Sequence, residues 1–185
     1  MQKTNFTDTE LISGFLIAES KEKFFVLIVN KFQERLYFFI RRILISHDDT
    51  NDVLQEVFIK AWKNLTTLQN TSLLNAWLYK IAHNEAMNFV NAAKRKHTQS
   101  INQDSHLNIA DENVNIDVDE WTRKVFTAIQ TLPDQQRIVF NLRYFDEMPY
   151  EEISEVMEIS TGAAKAQFHH ALKKMERVLA IHRDL

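Results

Sequence analysis

The chain has 185 residues, 45% of them hydrophobic, with a formal net charge of −3 at pH 7. That length allows one or two domains with a real core, and the negative balance excludes a strongly basic, free-standing nucleic-acid binder. Cys is absent and there are only 2 Gly and 2 Pro, which excludes disulfides and thiolate metal sites and leaves little material for hairpins, so a nearly all-helical chain is expected.

The opening MQKTNFTDTE has no signal-peptide apolar region, and no apolar run approaches the ~20 residues of a membrane span. A soluble, cytoplasmic protein without membrane insertion is expected. Asp8 to Ala18 predicts a short helix with Leu11, Phe15 and Ala18 on one side. Ser20 to about Ser46 predicts a long one, striped by Phe24, Leu27, Ile28, Phe32, Leu36, Phe39, Ile40 and Ile43. Arg35, Arg41 and Arg42 fall outside that stripe and read as solvated or paired with acids. His47 to Leu65 predicts the next helix, with acids at its start, where the helix dipole favours them. Val53, Leu54, Val57, Phe58, Ala61 and Trp62 point to a core. Asp52, Gln55 and Glu56 share the other face at i, i+3 and i+4; taken alone, such a face is an ordinary solvated one.

Thr66 to Ser72 is a polar loop, and a helix follows from about Leu73 to Lys96. Trp77, Leu78, Ile81, Ala82, Ala86, Phe89 and Val90 form its core side, with Lys80, His83, Asn84, Met87 and Asn91 largely away from it. It ends in Lys94-Arg95-Lys96, a common cap for free carbonyls. Residues 98–119 hold Asp104, Asp111, Glu112, Asp117 and Asp119 with no Lys or Arg, which leaves the remainder of the chain at +2. That composition reads as a flexible acidic linker.

A second helical unit begins near Glu120. Trp121, Val125, Ala128, Ile129 and Leu132 mark one helix. Pro133 suits the first turn of the next, which carries Ile138, Val139, Leu142 and Phe145. After the turn Asp146 to Pro149, the stretch Tyr150 to Met175 reads as two helices around a short turn. Ile153 and Met157 face one way in the first. Ala164, Phe168, Ala171, Leu172, Met175 and Leu179 recur at helical spacing in the second, with Ser160 as N-cap. Its opposite arc carries Gly162, Ala163, Ala166, His170 and Lys173, flanked by Gln167, His169 and Lys174. Small residues and donors, with no acid before Glu176, suit a helix that enters the major groove. A surface helical hairpin is the plainer alternative. The fold class is all-α, two small helical domains with a helix-turn-helix in the second.

Three stretches together resemble the bacterial extracytoplasmic-function (ECF) sigma factors of RNA polymerase. DDTNDVLQEVFIKAWKNL is similar to the family's polymerase-binding segment, D-x-x-D-[LV]-x-Q-E-x-F followed by A-W. SLLNAWLYKIAHNEAMNFVNAAKRK is similar to the adjoining helix that meets the −10 promoter element. LPDQQRIVFNLRYFDEMPYEEISEVMEIS resembles the start of the domain that reads the −35 element. The resemblance implies a region 2 domain at 1–97, a linker at 98–119 and a region 4 domain at 120–185. It implies a non-enzymatic protein without cofactor or metal that binds RNA polymerase core, at the clamp helices of the largest catalytic subunit and the flap of the second-largest. Promoter DNA and an anti-sigma factor are the other implied partners.

By the same resemblance, Asp52, Gln55 and Glu56 meet the clamp helices, and Thr66 to Ser72 holds a flipped −10 base. Lys80, His83 and Asn84 contact the promoter there, with Lys94, Arg95 and Lys96 on phosphates. Ser160, Thr161, Gly162, Lys165, Gln167, His170 and Lys173 face −35 DNA. Trp62 and Trp77 are in phase with core residues, which favours packing over base stacking. The chain departs from the family at Glu158, where Gly is usual, at Pro149 for Ser, at Ala163-Ala164-Lys165-Ala166-Gln167 for T-V-K-S-R, and at His170 for an Arg. A stand-alone helix-turn-helix regulator is the first rival, and it leaves Asp48 to Leu65 unexplained. A metal-dependent helical enzyme is the second. Its only candidates, His83 with Glu85 and His169 with His170, lack the i, i+4 spacing that puts two ligands on one face.

Overall fold

A computed structural model describes residues 6–44, 46–68, 70–99 and 120–181, which are helical with no strand among them. The chain divides into two compact units, Met1–Ser105 and His106–Leu185. The linker expected over 98–119 lies outside the described residues, except that the fourth helix runs past the basic cluster through Gln99.

The first unit holds α1 (Asp8–Phe15), α2 (Lys21–Leu44), α3 (His47–Asn64) and α4 (Leu74–Gln99). Thr7 and Glu10 start α1 with a reciprocal capping box. The Thr7 N–H and hydroxyl each donate to Glu10 Oε2 at 2.8 Å, and the Glu10 N–H donates back to Thr7 Oγ1 at 3.3 Å. The backbone donor first, then the hydroxyl, hold the Glu10 carboxyl below the usual carboxylate range. Thr7-x-x-Glu10 was readable as a start signal; the sequence reading placed the helix start without it. At Gly14 a Cβ would run into the Phe24 ring, so glycine is what lets α1 lie against α2.

α2 is the centre of this unit and packs against α1, α3 and α4. Ile28, Phe32, Leu36, Phe39, Ile40 and Ile43 are buried along it, as the stripe predicts, and full burial of each large apolar side chain contributes about 1.5–3 kcal/mol. Two residues differ from expectation. Arg42, expected outside the stripe and solvated or paired, is buried and has an interaction partner, because it follows Phe39 by one helical turn and so joins the edge of the stripe. Tyr79 is fully buried, its ring 5.1 Å from Phe39, with the Arg35 guanidinium 6.0 Å from its centroid. Trp62 packs edge-on against Phe15 and Phe25, at 5.4 and 5.0 Å between ring centroids, and Lys21 Nζ lies 4.6 Å from its ring. Its place in the packing is the one its phase predicts. Trp77 is half-buried.

The second unit holds α5 (Glu120–Gln130), α6 (Asp134–Tyr144), α7 (Tyr150–Met157) and α8 (Thr161–Ile181). α8 packs against the other three, over a core of Ala128, Ile129, Leu132, Phe140, Ala171 and Met175. Pro133 and Pro149 are N-caps with extended ψ of 147° and 150°, one residue ahead of the first-turn position expected for Pro133. Their carbonyls accept the first helical bonds, from Arg137 and Ile153. In α7 the buried pair is Ile153 and Val156, with Met157 only half-buried. Phe145, expected in the core of α6, is 37% exposed, whereas Phe140 and Asn141 are buried.

Among the described residues two non-glycine positions are left-handed, Glu147 (φ 52°) and Glu158 (φ 53°), and each follows a helix end. At Glu158 the ψ is 41°, and the following Ile159 N–H returns to the Ser154 carbonyl at 3.2 Å, closing the end of α7 as a left-handed cap does. An L side chain there costs about 1–2 kcal/mol, and glycine gives back about 0.4–1 kcal/mol through the freer unfolded chain. Glu158→Gly is therefore expected to stabilise the second unit by on the order of 1 kcal/mol, read as a higher urea midpoint at unchanged slope. A lower midpoint would contradict the strain account. Trp62→Ala is expected to destabilise the first unit by about 3 kcal/mol, with Trp62→Phe recovering most of it. An unchanged midpoint for the alanine variant would show that Trp62 does not hold the helices together.

Candidate functional site

On α3 the helical period separates two faces. Val53, Val57 and Ala61 are buried, whereas Asp52, Gln55 and Glu56 are exposed, as their spacing predicts. A shallow groove runs beside that exposed face, lined by Asp52, Val53 and Glu56 from α3 and by Glu85, Asn88 and Phe89 from α4. Lys60 of α3 closes one ion pair across the two helices, Nζ to Glu85 Oε1 at 2.6 Å, with the Glu85 side chain only 15% exposed. Glu85 is thereby committed to the fold. Among the described residues no group of three or more His, Cys, Asp or Glu gathers to hold a metal ion. None of their helices is long and apolar enough to cross a membrane.

The segment between α3 and α4 is two short 3₁₀ turns, Leu65–Thr67 and Thr71–Leu73. Asn70 organises the second: its Oδ1 accepts the Ser72 N–H at 3.1 Å and the Ser72 hydroxyl at 2.7 Å. Asn70 in this Asx-type turn explains how a loop without Gly or Pro holds its shape. Thr66 and Thr67 are exposed beside it. On α4, Asn84 is exposed and Lys80 and His83 are half-buried; Lys94 and Arg95 are exposed, and the Lys96 side chain lies outside the description.

The second site is the outer arc of α8. Ser160 caps the helix, its Oγ accepting the Ala163 N–H at 3.1 Å. A Cβ at Gly162 would meet nothing nearer than Ser160 Oγ at 4.0 Å, so the backbone of the first turn stands open. Gly162, Lys165, Ala166, His169, His170 and Lys173 are exposed, and Thr161, Ala163 and Gln167 are half-buried. On the other side Ala164, Ala171 and Met175 are buried. Lys165 Nζ lies 5.6 Å from the Tyr150 ring, over which the Arg143 guanidinium also sits at 5.0 Å. One flanking residue belongs to the fold: Lys174 Nζ donates to the Thr131 carbonyl beyond the end of α5. Its phase put it at the rim of the arc, and its long stem let it reach inward. Sequence reasoning also left out Asn88 and the groove-lining position of Phe89. Both come from helix packing, which no local pattern records.

The chain matches two protein families in order, Sigma-70 region 2 over residues 28–96 and Sigma-70, region 4 over residues 122–175. It is 28% identical over 180 residues to the ECF RNA polymerase sigma-E factor of Haemophilus influenzae, covering 92% of this chain and 94% of that one. The sigma-E factor of Escherichia coli is also 28% identical over 180 residues, with 92% and 93% covered. Its fold is similar to that of the sigma factor RpoE solved with the anti-sigma factor NepR from Bartonella quintana, with a TM-score of 0.72 at 20% identity, covering 85% of this chain and 97% of that one. It is similar as well to CnrH solved with the cytosolic domain of CnrY, with a TM-score of 0.71 at 20% identity, covering 94% and 97%. With region 2 and region 4 in this order and relatives that run nearly its whole length, the chain belongs to the sigma-70 family, in its extracytoplasmic-function group.

Proposed function

We propose that this ECF sigma factor binds RNA polymerase core through Asp52, Gln55 and Glu56 of α3 and directs it to selected promoters. In this reading residues 1–97 form region 2, residues 98–119 the linker and residues 120–185 region 4. The exposed α3 face meets the clamp helices of the largest catalytic subunit, and region 4 meets the flap of the second-largest. Thr66 to Ser72 holds a base flipped from the −10 element, where polar side chains read its exposed edge. Lys80, His83 and Asn84 contact DNA at −10, and Lys94, Arg95 and Lys96 its phosphates. Ser160, Thr161, Gly162, Lys165, Gln167, His170 and Lys173 meet the −35 element. The protein acts by binding, without a catalytic centre or cofactor of its own, in the cytoplasm where polymerase works. An anti-sigma factor is a fitting antagonist, since both solved relatives described above carry a bound partner.

The observation that carries the reading is the two-faced build of α8. Ala164, Ala171 and Met175 hold it in the core, while its other arc offers small residues and cations with no acid before Glu176. A protein of net charge −3 gains useful DNA affinity when two modules are held together on polymerase, because the second contact becomes intramolecular. The stand-alone regulator is less favoured, since it gives the α3 face nothing to do.

Alanine at Asp52, Gln55 and Glu56 together is expected to leave stability within about 0.5 kcal/mol of the parent, because all three are exposed. The same variant should lose binding to polymerase core in a pull-down; unchanged capture would remove the α3 face from the interface. Gln167 sits half-buried at the edge of the arc, where Gln can pair with adenine N6 and N7 for ~1–3 kcal/mol of discrimination. Gln167→Ala should relax preference at one −35 position in transcription from a promoter pool randomised there. Lys173→Ala should weaken all members about equally and lower the salt dependence. An unaltered base preference for Gln167→Ala refutes its reading of a base.

A further inference from the structure

Two histidines stand side by side on the outward arc of α8. His169 and His170 are both exposed, and their ring centroids lie 6.4 Å apart with the planes at 45°. Among the described residues neither ring has an ion pair or hydrogen-bond partner. Four residues apart on one helix are neighbours, so His169 lies between Lys165 and Lys173, and His170 lies between Ala166 and Lys174.

The charged groups on the elements packed against α8 are engaged elsewhere or unpaired with these rings. From α6, Asp134 holds Arg137 at 2.8 Å, and Arg143 donates to the Met148 carbonyl at 3.1 Å. Lys124 of α5 and Glu152 of α7 each have an interaction partner, and Glu151 and Glu155 of α7 are exposed. Within α8, Lys174 is drawn to the Thr131 carbonyl, and Glu176 lies beyond the reach of an i, i+4 contact. The immediate surroundings of the two rings are therefore cationic and open to solvent.

We propose that His169 and His170 make binding of −35 DNA proton-linked, so that the affinity of α8 for the duplex rises as the pH falls. The proposal rests on the reading of α8 as the −35 helix and adds a regulatory property to that same surface. Histidine changes charge between about pH 5 and 8, where lysine does not. A phosphate backbone close to either ring favours its protonated form. Linkage is reciprocal, so protons then favour DNA by the same factor. The sign follows: the extra affinity is complete where the rings are charged in both states, and is lost as the pH rises through the range in which the DNA-bound rings deprotonate. Each ring whose proton affinity DNA raises by one unit adds about tenfold. Each added phosphate contact steepens the fall of log affinity with log salt by about 0.9.

The test uses holoenzyme assembled from RNA polymerase core and the full chain. The probe is the promoter pool randomised at −35. Binding is measured over a salt series at about pH 6 and about pH 8, for the parent, the double variant His169→Gln with His170→Gln, and Lys173→Ala. Taking each parent value relative to the double variant cancels the titration of polymerase itself. The parent is expected to gain about tenfold between pH 8 and pH 6 relative to the double variant, with a salt slope steeper by about 0.9 to 1.8 at the lower pH. Equal pH and salt responses in the two proteins overturn the proton-linked contact. If Lys173→Ala still weakens binding to the whole pool, the −35 reading survives that failure; if it too has no effect, both fall.

Discussion

Where α7 ends, the backbone of Glu158 turns left-handed, and the direction of α8 follows from that single residue. A left-handed residue stops a helix abruptly and returns the next N–H to a carbonyl of the last turn, here from Ile159 to Ser154. Ser160 is then free to cap the following helix. α8 leaves at an angle that seats Ala171 and Met175 against Ala128, Ile129 and Phe140. The outward arc is the complement of that seating. Strain of order 1–2 kcal/mol at one position is held by a core whose burial is worth several times as much.

The same division appears on α3 and α8. Small buried residues, Ala61 on one and Ala164 and Ala171 on the other, let each helix approach its neighbours closely. The remaining faces are largely exposed, and apart from Lys60 on α3 and Lys174 on α8 they contribute little to holding the units together. The residues that pack each helix are thus different from those it exposes, so the exposed face can change at constant fold.

Much of this was legible in the sequence because helical period and burial are tightly coupled: the stripe of α2, the two faces of α3 and the arc of α8 all stand where the spacing puts them. The losses have physical causes. Arg42 and Lys174 have long stems that reach inward from the margin of a stripe, so phase alone misjudges them. Tyr79 and Val156 were passed over beside Leu78 and Met157, since neighbours in sequence differ by about 100° around a helix and either can face the core when the stripe is broad. Pro133 and Pro149 sit one step earlier than a first-turn proline because the N-cap keeps an extended ψ, which proline adopts as readily. The Lys60–Glu85 pair joins residues far apart in sequence, and nothing local to either announces it.

That pair has a mechanical consequence. Lys60 and Glu85 clip α3 to α4 beside the groove the two helices share, and α2 packs on both. Two helices tied this way and packed on a common third are braced at two places. A push on the outer face of α3 is therefore passed on to α4, so the exposed residues of the two helices keep one spatial relation.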